Sequence, residues 1–299
     1  GATAVCTGQT VGLTHVVGGG TWASTNTSVA TISSFGVVSG GTAGTTSITY
    51  TLPSGCVVGR TQTVNPTPAA ISGSTVVCEG STTNLSDATS GGVWSSNAPS
   101  IATINGLGTV AGVSSGFALV SYTISATGCR STTTVTVNAL PAAIGGATNV
   151  CVGSAAAVTN ATSGGTWSSG DPAVATINSA TGEVNAVSTG VTPISYMSAS
   201  GCVRVATLTV NALPSAISGS SSVFSGGTVA LSSATSGGTW SSSNTSAATI
   251  GSAGVATGIA SGIATITYAV SGSGCFTTHT LSVNSAPATI TGTTNACVG

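Results

Sequence analysis

Tryptophan recurs in this chain at Trp22, Trp94, Trp167 and Trp240, at steps of 72, 73 and 73 residues, each time within Gly-Gly-Thr-Trp or Gly-Gly-Val-Trp. A fixed period of that length means one folding unit used several times, so whatever the chain does must be within reach of one small unit or of a row of them. Other markers keep the step: Pro68, Pro141, Pro214 and Pro287, then the strand endings at Thr63, Thr136, Thr209 and Ser282, then Cys56, Cys129, Cys202 and Cys275. A second cysteine series, Cys6, Cys78, Cys151 and Cys297, keeps it only if Phe224 is counted as a member. The markers divide the chain into 1–65 (its first strand missing), 66–138, 139–211, 212–284, and 285–299 as the start of a fifth repeat.

Within one repeat the local signal is β. Ala118 to Ile124 alternates, with Val120, Tyr122 and Ile124 on one face and Ser121 and Thr123 on the other, and Thr132 to Asn138 does the same. No window carries apolar residues at helical spacing over ten residues. Short β-rich runs between Gly, Asn, Ser and Pro, with one tryptophan per unit, predict a seven-strand sandwich whose Trp22, Trp94, Trp167 and Trp240 plug the space between two sheets. A β-solenoid also suits the Gly, Ser and Thr content, but its rungs take roughly 20 to 30 residues, and no shorter period divides the repeat.

Composition removes whole classes of function. Charged residues make up 2% of the chain, three arginines and four acids, with no lysine and a net charge of -1. Such a surface cannot neutralise a phosphate backbone, which excludes nucleic acid and anionic membranes as partners. Apolar residues are spread over short segments, well below the roughly 20 in a row that span a bilayer, so no membrane insertion is expected. The acids Glu79, Asp87, Asp171 and Glu183 do not recur between repeats, and His15 and His279 lie far apart, so no catalytic residues, metal site or cofactor is expected. Asp87 falls in register with His15, Asn160 and Ser233, as a solvated surface position would. Arg60, Arg130 and Arg204 each follow a late cysteine by a few residues, a recurrent hairpin charge. Asn26, Asn84, Asn160 and Asn244 lie in glycosylation sequons, which matter only in a host with that machinery. Soluble proteins guard exposed strand edges with charge, and a chain without it is expected to associate with neighbouring chains.

Eight cysteines without close pairs read as disulfides, which implies an oxidising, extracellular or cell-surface setting. Three connectivities fit the spacing. Within a repeat, Cys6 joins Cys56, Cys78 joins Cys129 and Cys151 joins Cys202; across a linker, Cys56 joins Cys78, Cys129 joins Cys151 and Cys275 joins Cys297; skipping forward, Cys6 joins Cys129, Cys78 joins Cys202 and Cys151 joins Cys275. The early cysteine closes the first strand and the late one precedes the last strand, at opposite ends of a sandwich up to roughly 30 Å apart. A disulfide requires Cα atoms about 4.4–6.8 Å apart. End-to-end stacking would satisfy this through the forward skip, and an irregular first strand would satisfy it within a repeat. Linkers of only a few residues with a proline favour such stacking, in a semi-rigid rod.

The segment from Ser243 to Tyr268 and that from Ser96 to Tyr122 resemble bacterial immunoglobulin-like domains of group 2, whose recurring features are a Ser-Asn-x-x-x-Ala-Thr-Ile strand, a Gly-x-Val-x-Gly turn (Gly108 to Gly112 here; Gly-Val-Ala-Thr-Gly at Gly254 to Gly258) and a Gly-x-Ala-x-Ile-Thr-Tyr type of strand. The resemblance covers every repeat. It implies tandem immunoglobulin-like β-sandwiches stacked end to end, and a non-catalytic structural role in a bacterial surface filament or fibre. Alternatives of the same origin are the stalk of an adhesin with its binding tip elsewhere, or the spacer of a secreted enzyme. The register of the two ends suits a window from a longer array, or donation of the final segment to another subunit.

Overall fold

A computed structural model describes residues 2–287 and Gly292. Every regular element among them is a β-strand, and they form two compact units, Gly1–Leu140 and Pro141–Gly299. Each unit contains two hydrophobic cores, one per repeat.

The third repeat shows the plan. Its first sheet runs in the order Asn149–Cys151, Val203–Asn211, Gly190–Met197, Thr166–Ser169; its second runs Gly145–Gly146, Ala155–Thr159, Glu183–Ala186, Ala175–Ile177. The expected first strand is therefore split. Gly145–Gly146 pairs antiparallel in the second sheet, then the chain crosses and Asn149–Cys151 runs parallel to Val203–Asn211 in the first. Glycine permits that crossing: Gly146 has φ +93°, and a Cβ there would lie 2.4 Å from the Ala157 carbonyl oxygen. In repeat 1 the parallel half is present as Ala4–Cys6, and among the described residues no antiparallel half precedes it.

Period-two alternation puts the core where the sequence places it. Along Gly190–Met197, Thr192, Ile194 and Tyr196 face inward while Val191, Pro193 and Ser195 do not. Ile194 meets Val150, Val158, Val184, Leu208 and Val210 in one cluster, and burying such a side chain stabilises the fold by about 1.5–3 kcal/mol.

The Gly-Gly-x-Trp motif has a steric cause. The tryptophan packs against a tyrosine 28 or 29 positions later, with ring centroids 4.7–4.8 Å apart in Trp22–Tyr50, Trp94–Tyr122, Trp167–Tyr196 and Trp240–Tyr268. Such pairs contribute about 0.5–1.5 kcal/mol beyond burial. The glycine two before each tryptophan lies against the tyrosine ring: a Cβ on Gly20, Gly92, Gly165 or Gly238 would come within 2.4–2.6 Å of it. Its N–H donates to the tyrosine hydroxyl at 2.8–2.9 Å, and that hydroxyl donates to the carbonyl of Val17, Thr89, Thr162 or Thr235. Trp167 is buried; Trp22, Trp94 and Trp240 are half-buried at the edge of their cores.

Candidate functional site

The chemistry that recurs in this chain is sulfur chemistry, and backbone geometry puts it at two fixed places. Cys6, Cys78 and Cys151 end the parallel first strand, where a turn returns an N–H to the cysteine carbonyl: Gln9 to Cys6, Ser81 to Cys78 and Ser154 to Cys151, at 2.9–3.0 Å. Phe224 occupies the same turn, accepting from Gly227 at 2.9 Å. The late cysteines lie just ahead of the last strand, each carbonyl accepting a hairpin N–H at 2.9 Å, from Leu52 to Cys56, Ile124 to Cys129, Ser198 to Cys202 and Val270 to Cys275.

Bonding follows the forward skip in both units. Cys6 is joined to Cys129 with Cα atoms 5.6 Å apart, and Cys151 to Cys275 at 5.7 Å. Each bond thus fastens the first strand of one repeat to the last hairpin of the next. Cys78 and Cys202 are also disulfide-bonded. Cys129, Cys202 and Cys275 are buried, so these sulfurs are shielded from thiolate attack. Cys56 departs from the expectation of a disulfide: it is a free, exposed thiol. The reason is register, since the forward skip would pair it with an early cysteine one repeat before Cys6. Cys297 lies outside the described residues.

Polar side chains near the sites hold loops. Asp87, Asn160 and Ser233 use a side-chain oxygen to accept the N–H two residues on, from Thr89, Thr162 and Thr235 respectively. His15 takes the same place in repeat 1, where Nδ1 accepts from the Val17 N–H at 3.2 Å. What looked like a scattered surface position is one turn cap filled by four residue types. Glu79 accepts from Ser115 N–H at 2.7 Å through Oε1 and from Leu140 N–H at 3.3 Å through Oε2, tying a loop of repeat 2 to the linker that follows it. Arg204 donates from Nε to the Pro141 carbonyl at 3.1 Å. Asn26 and Asn84 are exposed, whereas Asn160 and Asn244 donate their amides to the carbonyls of Ala142 and Ile263. Among the described residues no group of three His, Cys, Asp or Glu side chains is placed to hold a metal, and no helix is long and apolar enough to cross a membrane.

The tyrosines Tyr50, Tyr122, Tyr196 and Tyr268 were legible only as the inward face of a strand; their hydroxyls anchor the glycine turn as well. Their separation from the tryptophan, 28 or 29 residues, was the signal.

No protein-family model matches the sequence, and no curated protein does. Among solved structures the chain is similar to domains 1–6 of the surface layer protein SbsC, at 16% identity and TM-score 0.24, over 87% of this chain and 48% of that one. It is similar to invasin, a bacterial integrin-binding protein, at 14% identity and TM-score 0.33, over 93% and 72%. It is also similar to the N-terminal eight Ig domains of Down Syndrome Cell Adhesion Molecule, at 9% identity and TM-score 0.30, over 95% and 48%. The chain spans about half the length of the two longer surface-layer structures it matches.

Proposed function

We propose that this chain is a non-catalytic extracellular structural protein, a disulfide-reinforced tandem-repeat shaft of a bacterial surface filament or fibre, built of units akin to group 2 bacterial immunoglobulin-like domains. One observation carries the reading. The two bonds Cys6–Cys129 and Cys151–Cys275 each close a loop of more than 120 residues and link consecutive repeats, where a bond protecting a single domain would stay inside it. A covalent link between neighbours transmits tension past the folded core of either one. Disulfides of this kind suit an oxidising compartment, and a chain with 2% charged residues suits assembly better than free solution.

Pulling on single chains from both ends tests the proposal. With reductant present, each repeat of 73 residues should unfold with a gain of roughly 250 Å. Under oxidising conditions the residues between bonded cysteines are locked and most of that extension should vanish. Equal extension in the two states would sink the shaft reading.

A further inference from the structure

Where the first repeat meets the second, the molecule holds a cleft of about 470 Å³, within the roughly 300–1,000 Å³ range of clefts that take small ligands. Cys6 and Gln9 line it from repeat 1, and Thr67, Leu119, Arg130 and Thr132 from repeat 2. Both walls lie in one compact unit, and the Cys6–Cys129 bond fastens them to each other. Strand register explains the lining. Arg130 and Thr132 alternate outward along Arg130–Asn138, Leu119 does so on the neighbouring strand Gly116–Ile124, and Gln9 sits in the turn that follows Cys6.

The polar groups of this cleft are not engaged in holding the fold. Elsewhere the scarce charged and amide side chains tie loops, as Asp87, Asn160 and Arg204 do. Among the described residues the side chains of Gln9, Thr67, Arg130 and Thr132 make no hydrogen bond or ion pair, and no acid lines the cleft. One guanidinium, one amide and two hydroxyls therefore border a single volume with their donors and acceptors open.

The junction of repeats 3 and 4, fastened by the equivalent bond Cys151–Cys275, shows that the joint itself does not require these groups. Ser154 stands there in the turn after the early cysteine, Leu213 before the linker proline and Phe276 after the late cysteine, at the places of Gln9, Thr67 and Arg130. The Ser154 hydroxyl is turned back onto the Cys151 carbonyl at 2.6 Å, and Leu213 and Phe276 are half exposed. The same bond and the same strand path thus frame an apolar surface in one unit and a polar, cationic cleft in the other.

We propose that the cleft between repeats 1 and 2 binds an acidic sugar, a hexuronate residue whose carboxylate meets Arg130 and whose ring hydroxyls meet Gln9, Thr67 and Thr132. A guanidinium presents a planar fork that matches a carboxylate through two parallel hydrogen bonds. Sugar hydroxyls both donate and accept, as the glutamine amide and the threonine hydroxyls do, and Leu119 offers an apolar surface to the C–H face of the ring. Arg130 is the only charged residue lining the cleft, so it matches one carboxylate and leaves a phosphate polyanion without counterparts.

The inference goes beyond the shaft reading and is tested apart from it, since its experiment measures neither extension nor assembly. The oxidised 299-residue chain is titrated with sodium glucuronate and followed by amide chemical shifts. Shifts are expected at Gln9, Thr67 and Thr132, while glucose and acetate, each offering one part of the recognition, should bind at least about tenfold more weakly. Arg130→Gln should weaken glucuronate binding about ten- to a hundredfold. Arg130→Lys, which keeps the charge and loses the fork, should fall between that variant and the parent. Phe276→Ala, at the other junction, should change nothing. Absence of shifts at every glucuronate concentration overturns the proposal, as does binding unmoved by Arg130→Gln or lost in Phe276→Ala. Acetate or glucose binding as tightly as glucuronate overturns the assigned ligand class. So does tighter binding of an aspartate-rich peptide, which would make an acidic protein segment the occupant.

Discussion

From the parallel first strand onward repeats 1 and 3 follow the same strand path, yet their cores differ at one ladder pair. In repeat 3, buried Thr192 stands opposite Leu208; in repeat 1, buried Thr46 stands opposite Gln62. The two threonines are equivalent, since each hydroxyl accepts a loop N–H, from Asp171 at 2.8 Å and from Asn26 at 2.9 Å. Gln62 has no such compensation: it is 0% exposed, and neither its Oε1 nor its Nε2 has a hydrogen-bond partner. The pair teaches that these sandwiches admit a polar group at no great cost when it serves the backbone, and carry a penalty when it does not. Repeat 1 thus carries an orphaned amide in its core, while repeat 3 has a leucine there and a buried tryptophan.

Exchanging the residue at that position should move the two repeats toward each other. The largest effect is expected from Leu208→Gln, which loses the transfer of an apolar side chain and buries an unpaired amide, roughly 3–5 kcal/mol together. Hydrogen exchange along Val203–Asn211 would register it as faster opening of repeat 3; unchanged protection would refute the account. Gln62→Leu should act in the opposite sense, stabilising repeat 1 by about 1–3 kcal/mol and slowing exchange along Val57–Asn65. A loss of protection there would mean the amide has a use. Smaller and equal in both repeats should be Tyr196→Phe and Tyr50→Phe, about 1–2 kcal/mol each, because each strands one glycine N–H and one carbonyl. Unequal costs would show that the turn anchor is not shared.

Much of a single repeat was legible because its signals are local. Alternation along Gly116–Ile124 and Arg130–Asn138 fixed which side chains face inward, and the cysteines fall where the sequence placed them, at the end of the first strand and ahead of the last. Gly-Gly-x-Trp marked the period, while the tyrosine ring lying against its second glycine emerged only from the fold. The split of the first strand was not legible: Ser72–Gly73 and Val76–Cys78 are two and three residues long, too short for alternation to reveal a change of sheet. Nor was the fate of Cys56, whose hairpin is the same as those of its bonded counterparts.

By itself the sequence determined the period, the β character and the inward residues, since each depends on neighbours along the chain. Tertiary structure decided the sulfur pairing. Cys6 and Cys129 are 123 residues apart, and only the meeting of two repeats brings their Cα atoms within 5.6 Å. It likewise decided that Gln62 is buried without partners, because an alternating strand says which way a side chain points and nothing about what waits there.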